Sequence, residues 1–207
     1  MALLSSTTLR TRHVPDVQSA DTTAVAQLDA LLAAAERAAA AYLGYPGAAP
    51  SWGSTTYTLR IEAQGDAGKL YLPVAPVTAI ASIYQDTLMQ FGASTAVAST
   101  EYEQEDTRHG PILHLLPTGT VGAWSTVRRA IKVTCTAGYA NEAAIPLDLA
   151  DAVYRWAADT WNRRRTRALK SSSQGGVSQT FTDLGPPPGD VEAVLAEYLL
   201  WPRLGVA

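Results

Sequence analysis

Four acidic residues lie within positions 101–106 of this 207-residue chain, and carboxylates this close together could hold a metal ion or act in acid–base chemistry. Glu101, Glu103 and Glu105 alternate with other residues, so on a β-strand their side chains would share one face. Like charges on one face repel unless they are solvated or meet a basic neighbour. The pattern therefore favours a charged, solvent-facing strand edge over a metal site. A basic partner in a neighbouring subunit is a further hypothesis.

Basic residues are concentrated near the end of a predicted helix, at Arg163, Arg164, Arg165 and Arg167. Positions 155–170 contain six basic residues and one acidic residue, which gives a local charge of +5 in a chain whose net charge is −3. Successive residues differ by about 100° around a helix, so these guanidinium groups point in different directions. Two interpretations stay open: a solvated helix end whose cations offset the helix dipole, or contact with DNA phosphates or an acidic protein surface.

The other reactive side chains form no recognisable catalytic motif. His109 and His114 are five positions apart, which would place them on opposite faces of a strand. Cys135 is the single cysteine, and its place on the apolar face of a predicted strand indicates a buried structural thiol. The sequence has no Gly-x-Ser-x-Gly elbow and no glycine-rich phosphate loop before a lysine. We therefore expect no enzymatic activity, no metal site and no cofactor.

Composition indicates a globular protein, because 47% of the residues are hydrophobic and 17% are charged. The net charge of −3 argues against a general nucleic-acid binder. One cysteine excludes an intrachain disulfide and fits a reducing cytoplasm. No apolar run is long enough to span a bilayer, and the first residues have the wrong order for a secretory signal, so we expect no membrane partner.

Two long helices are predicted to position these charged clusters. Near residues 21–43, apolar residues recur at three- and four-residue spacing between a capping Asp21 and Gly44. The second helix starts at Pro146 and runs over about 146–170, so that the arginine cluster lies at its end. Residues 1–20 show no clear periodicity and are expected to form an extended or mobile N-terminal arm.

Residues 171–207 are predicted to be a linker followed by a short docking helix. Ser, Gly and Pro dominate its first part, and an amphipathic pattern follows within 190–204. A tethered apolar helix is expected to dock in a groove of another protein. The side chains expected to form this docking surface are Val191, Val194, Leu195, Tyr198, Leu199 and Trp201.

The β-region is predicted to span residues 54–137, between the long helices. Residues 55–62 and 69–72 are expected to pair as a hairpin about the turn at 64–68. Further short strands are predicted at 79–84, 100–105, 112–116 and 127–136. The predicted fold class is therefore α+β, a small helical bundle with an antiparallel β-sheet region inserted between its long helices. In this division, residues 1–20 are the arm and residues 21–170 are the core.

The order of these elements resembles the head–tail connector, or adaptor, family of long-tailed bacteriophages and gene transfer particles. Four segments carry the resemblance: Ala-Tyr-Leu-Gly at 41–44, Leu-Tyr-Leu-Pro-Val-Ala-Pro-Val at 70–77, Thr-Cys-Thr-Ala-Gly-Tyr at 134–139, and Ile-Pro-Leu-Asp-Leu-Ala at 145–150. Together they cover about residues 21–170, and the chain is richer in strands than a minimal family member.

The resemblance implies a virion protein without enzymatic activity, located at the head–tail interface and assembled in the host cytoplasm. Such proteins form a ring, usually of twelve copies, beneath the portal protein. The ring extends the channel through which double-stranded DNA passes, and it offers an attachment surface to a tail-side connector or tail terminator protein. The C-terminal helix would then dock on the portal, and the arginine and glutamate clusters would line the channel or pair between subunits. The alternative is a DNA-binding or DNA-packaging accessory protein that uses residues 163–167.

Overall fold

The computed structural model describes residues 3–48, 50–117, 119–171 and 184–201, and for residues 165–171 it describes the backbone. The chain divides into two compact units. The helical unit comprises Met1–Leu43 and Asn141–Tyr198, and the β unit comprises Gly44–Ala140 with Leu199–Ala207. The fold class is α+β, as predicted, because helices and antiparallel sheets occupy separate parts of the chain.

The helical unit contains, within the described residues, the helices α1 (Ser6–His13), α2 (Thr22–Leu43), α3 (Leu147–Ser171) and α4 (Gly189–Glu197). The two long helices lie where the sequence places them. Helix α2 begins where the Asp21 carboxylate accepts a hydrogen bond from the Ala24 N–H at 3.0 Å. It packs along α3, and both α1 and α4 pack against this pair. None of the described helices is long and apolar enough to cross a membrane.

The first residues do not form the extended arm that their sequence suggests. They form α1, which packs against α2 and α3, and they bury Leu4, Leu9 and Val14 almost completely. These three apolar residues are spaced five apart, so they produce no helical periodicity. The expectation of an extended segment was wrong because tertiary packing, rather than an amphipathic pattern, stabilises this helix.

The β unit contains two antiparallel sheets in the part of the chain described. The four-stranded sheet has the order β1 (Thr55–Ile61), β7 (Ile131–Ala137), β3 (Val77–Gln85) and β4 (Ala96–Val97); the three-stranded sheet has the order β2 (Lys69–Tyr71), β6 (Ile112–Leu115) and β5 (Tyr102–Glu105). Leu59 and Val133 from the first sheet share one buried core with Leu70 and Leu113 from the second. Each sheet therefore has one face in the core and one outer face.

The predicted hairpin between residues 55–62 and 69–72 is wrong. Strand β1 pairs with β7, from Thr55 opposite Ala137 to Ile61 opposite Ile131, whereas β2 pairs with β6 in the other sheet. The turn at 64–68 does exist, since the Gly68 N–H donates to the Asp66 carboxylate at 2.9 Å. This turn carries the chain from the four-stranded sheet to the three-stranded sheet. Long-range packing, rather than turn chemistry, decides which strands pair.

Candidate interaction surfaces

The predicted docking helix is shorter than expected, because α4 ends at Glu197 and not near residue 204. Val191 is 1% exposed and Leu195 is fully buried, and α4 packs against α3 and α2. Val194 and Tyr198 are partly exposed, while Leu199 and Trp201 lie beyond the helix. Val191 and Leu195, two of the six side chains expected to dock on a partner, are therefore buried within their own chain.

Polar contacts hold α4 at both ends. Near its start, Arg155 Nη1 donates to Asp190 Oδ2 at 3.0 Å. Just after its end, the Tyr198 hydroxyl donates to Asp148 Oδ1 at 2.7 Å. Both partners, Arg155 and Asp148, lie on α3. Docking through the buried face of α4 would require these contacts to break.

Trp201 packs on the β unit of its own chain. Its indole Nε1 donates to the Gly110 carbonyl oxygen at 3.0 Å, and its backbone N–H donates to the His109 carbonyl oxygen at 2.8 Å. The indole ring meets the Tyr71 ring edge to face, with centroids 4.8 Å apart. His109 Nδ1 lies 2.8 Å from the carbonyl oxygen of Leu199 and therefore donates to it. The side chain predicted to anchor a partner thus anchors residues 199–201.

The three glutamates do not share one strand face, so that prediction is wrong for Glu101. This residue ends a short 3₁₀ helix before β5, and its carboxylate accepts from the Thr120 hydroxyl at 2.7 Å and from the Val121 N–H at 2.8 Å. These hydrogen bonds, the one from Thr120 foremost, lower the pKa of Glu101. Glu103 and Glu105 do share a face, and both are exposed on β5, an edge strand.

Glu103 and Glu105 lie on the outer face of the three-stranded sheet. Glu103 on β5 pairs with His114 on β6, and His114 pairs with Lys69 on β2. Glu105 ends the next row of paired residues across the same three strands. Glu105 Oε2 lies 2.7 Å from His114 Nε2, whereas Glu103 forms no ion pair with any described residue. Within the described ranges, no group of three or more His, Cys, Asp or Glu side chains could hold a metal ion.

The arginine cluster is only partly available to a ligand. Arg163 Nη2 lies 2.7 Å from Asp159 Oδ2, one helical turn earlier. Arg164 is partly buried, and this desolvation lowers the pKa of its guanidinium group. The side chains of Arg165 and Arg167 lie outside the described residues. Neither described guanidinium group is a fully exposed, unpaired cation, so these two residues give little support to tight phosphate binding.

A second basic surface, which was not predicted from the sequence, lies on the outer face of the four-stranded sheet. Lys132 on β7 stands opposite Arg60 on β1 and Tyr84 on β3. Its Nζ is 4.5 Å from the Tyr84 ring centroid and 5.1 Å from that of Phe91, which also lies 5.3 Å from Arg60 Cζ. We call these four residues the basic–aromatic row. Neither cation forms an ion pair with a described residue.

The β3–β4 loop extends this row with apolar side chains. The Asp86 carboxylate accepts hydrogen bonds from the backbone N–H groups of Leu88 at 2.8 Å, Gln90 at 2.9 Å and Phe91 at 3.0 Å. These bonds, the one from Leu88 foremost, lower the pKa of Asp86 and fix the shape of the loop. Leu88 is 76% exposed and Met89 is 42% exposed. The loop therefore presents two apolar side chains in a defined conformation.

Solved structures contain chains with this α+β fold. A chain in the virion of a native gene transfer agent particle superposes with a TM-score of 0.59 and 22% identity, covering 98% of this chain and 92% of that one. A chain in the neck of an empty gene transfer agent particle, computed with C6 symmetry, gives a TM-score of 0.58 and 21% identity over the same shares. No protein-family model matches the sequence, and no curated protein sequence matches it significantly. At these identities the likeness establishes a shared fold.

Proposed function

We propose that this chain is a structural neck protein of a phage-like or gene transfer particle, without enzymatic activity. The observation that carries the proposal is the extent of the fold likeness, which covers 98% of this chain and 92% of a chain from such a particle. A fold alone does not dictate function, so the proposal also rests on the surfaces. Their prominent features are exposed charges and exposed apolar side chains on outer faces, which suit assembly.

The chain forms a ring beneath the portal protein, and this ring extends the DNA channel and offers the surface for a tail-side connector or tail terminator. A neck structure with this fold was computed with C6 symmetry, which supports a ring whose copy number is a multiple of six, such as twelve. Double-stranded DNA passes through the ring without being held. The ion pair between Arg163 and Asp159 supports passage, since it reduces the attraction of the arginine cluster for phosphates.

The portal contact of the C-terminal segment is part of the same proposal. Val191 and Leu195 would serve it indirectly by holding α4 on α3, because their side chains are buried. The partly exposed Val194 and Tyr198 would make the contact. The particle is then the final location of the protein.

The experiment that tests this function combines the purified chain with the portal protein of the same particle. Light scattering gives the mass of the complex, and negative-stain imaging gives its shape. The proposal predicts a ring of added density beneath the portal, with one copy of this chain for each portal subunit. No complex, together with DNA binding that weakens steeply as salt rises, would instead support the DNA-packaging accessory.

A further inference from the structure

The basic–aromatic row and the β5 edge carry opposite charges. Arg60 and Lys132 lie on the outer face of the four-stranded sheet, and Glu103 and Glu105 lie on that of the three-stranded sheet. Because the two sheets share one core, their outer faces point away from each other. Arg60 and Lys132 therefore cannot pair with Glu103 and Glu105 of the same β unit.

Among the described residues, neither cation of the basic–aromatic row has an ion-pair partner. Arg60 and Lys132 stand directly opposite each other on neighbouring strands, an arrangement in which like charges repel. The rings of Phe91 and Tyr84 offset this only in part, since an aromatic face attracts a cation without neutralising it. An external carboxylate or phosphate would remove the repulsion.

We propose that the basic–aromatic row of one copy binds the β5 edge of the next copy at Glu103 and Glu105. The exposed Leu88 and Met89 of the β3–β4 loop add apolar contact beside the charge pairs. The interface is head to tail, because the two contacting surfaces are different and lie on opposite faces of one unit. Head-to-tail contacts close into a ring when the rotation between copies permits it. This interface therefore rests on the proposed neck function and supplies its subunit contact.

A second copy fits the basic–aromatic row better than DNA does. The chain itself provides the complementary surface, with Glu103 exposed and without an ion-pair partner among the described residues. The exposed apolar side chains of Leu88 and Met89 suit a protein surface, because a phosphate backbone offers them no apolar contact. DNA binding by the row is the competing outcome of the test.

Two charge-reversal variants test the interface. The row variant carries Arg60→Glu and Lys132→Glu, and the edge variant carries Glu103→Lys and Glu105→Lys. Each variant alone brings like charges together, so its self-association should weaken about a hundredfold relative to the wild type. In an equal mixture, the acidic row of the row variant meets the basic edge of the edge variant. The basic row of the edge variant meets the acidic edge of the row variant. The mixture should therefore form rings in which the two variants alternate.

The assay is sedimentation velocity of the full chain, with mass spectrometry of the rings that form in the mixture. A matched control, Arg12→Glu with Arg37→Glu, makes the same change in net charge as the row variant at exposed helical positions and should associate like the wild type. Circular dichroism reports whether each variant folds. The uncharged variant Leu88→Ser with Met89→Ser should also weaken association, without recovery on mixing with the edge variant.

Several results would overturn the interface. They are wild-type assembly by either reversal variant, failure of the folded mixture to recover, and a wild-type chain that stays monomeric at all accessible concentrations. Loss of DNA binding by the row variant, with self-association unchanged, would assign the row to phosphates. A monomer that still binds the portal would refute this interface and leave the neck function intact. Rings that form through this interface but do not bind the portal would support the interface and contradict the neck function.

Discussion

A buried carboxylate on α2 holds the first residues of the chain, and its removal should destabilise the helical unit measurably. Glu36 is 6% exposed, and it accepts hydrogen bonds from the Leu3 N–H at 3.0 Å and from the Leu4 N–H at 2.5 Å. These contacts fix the segment that leads into α1, where Leu9 is fully buried. The perturbation we choose is Glu36→Ala.

The expected magnitude follows from these two contacts. A hydrogen bond to a charged group contributes about 1.5–3 kcal/mol, so the pair sets an upper limit near 6 kcal/mol. The hydrogen bond from Leu3 is only partly buried, so water can replace it after the substitution, which lowers the expected loss to about 2–4 kcal/mol. For a chain of this size, that loss corresponds to a melting temperature lower by about 5–15 °C. Glu36→Gln keeps one acceptor oxygen and should lose about half as much free energy.

The assay is thermal unfolding followed by circular dichroism, with hydrogen exchange at the Leu3 and Leu4 amides. Asp29→Ala is the matched control, because it removes an exposed carboxylate from the same helix and should change stability little. The reasoning would be refuted if Glu36→Ala stayed within about 0.5 kcal/mol of the wild type while both amides kept their protection.

Three further predictions follow from single contacts in the β unit. Gly138 has φ of 105° and a Cβ there would lie 2.5 Å from the Gly53 carbonyl oxygen, so Gly138→Ala should cost about 2 kcal/mol or more in urea unfolding, unlike Gly122→Ala. Burial raises the pKa of the Cys135 thiol to about 11, so a thiol reagent at pH 8 should modify Cys135 only after unfolding; rapid labelling of the folded chain would contradict this. The pKa of Asp86 is lowered in the folded state, so its contribution to stability is present above the ordinary value of 3.8 and is lost as pH falls through the lower folded value. Asp86→Asn should therefore lose less stability than the wild type on acidification below about pH 5, and equal losses would exclude this role.

Local signals located the two long helices and β2 but missed α1, and long-range packing decided how the strands pair. The cap at Asp21 and the apolar periodicity after it were sufficient to place α2, because both signals lie within the sequence of the helix itself. Strand β2 was also located, but its pairing with β6 depends on the core that Leu70 and Leu113 share. No turn signal near residues 64–68 contains that information.

The interaction surfaces were harder to predict, because their residues are far apart in sequence. The basic–aromatic row joins side chains at positions 60, 84, 91 and 132. The register of β1, β7 and β3 aligns positions 60, 84 and 132, and the β3–β4 loop places Phe91 beside them. The buried placement of Cys135 was predictable from strand alternation and is confirmed. The position of Trp201 on Gly110 was not, since the contact joins residues 91 positions apart.

The most direct test of the neck function is to delete the gene for this chain in a cell that produces the particle and to examine the products by electron microscopy. Without the chain, heads and tails should each be complete but not joined, and joining should be restored when the wild-type chain is supplied. Normal numbers of joined particles in the absence of the chain would exclude the proposed neck function.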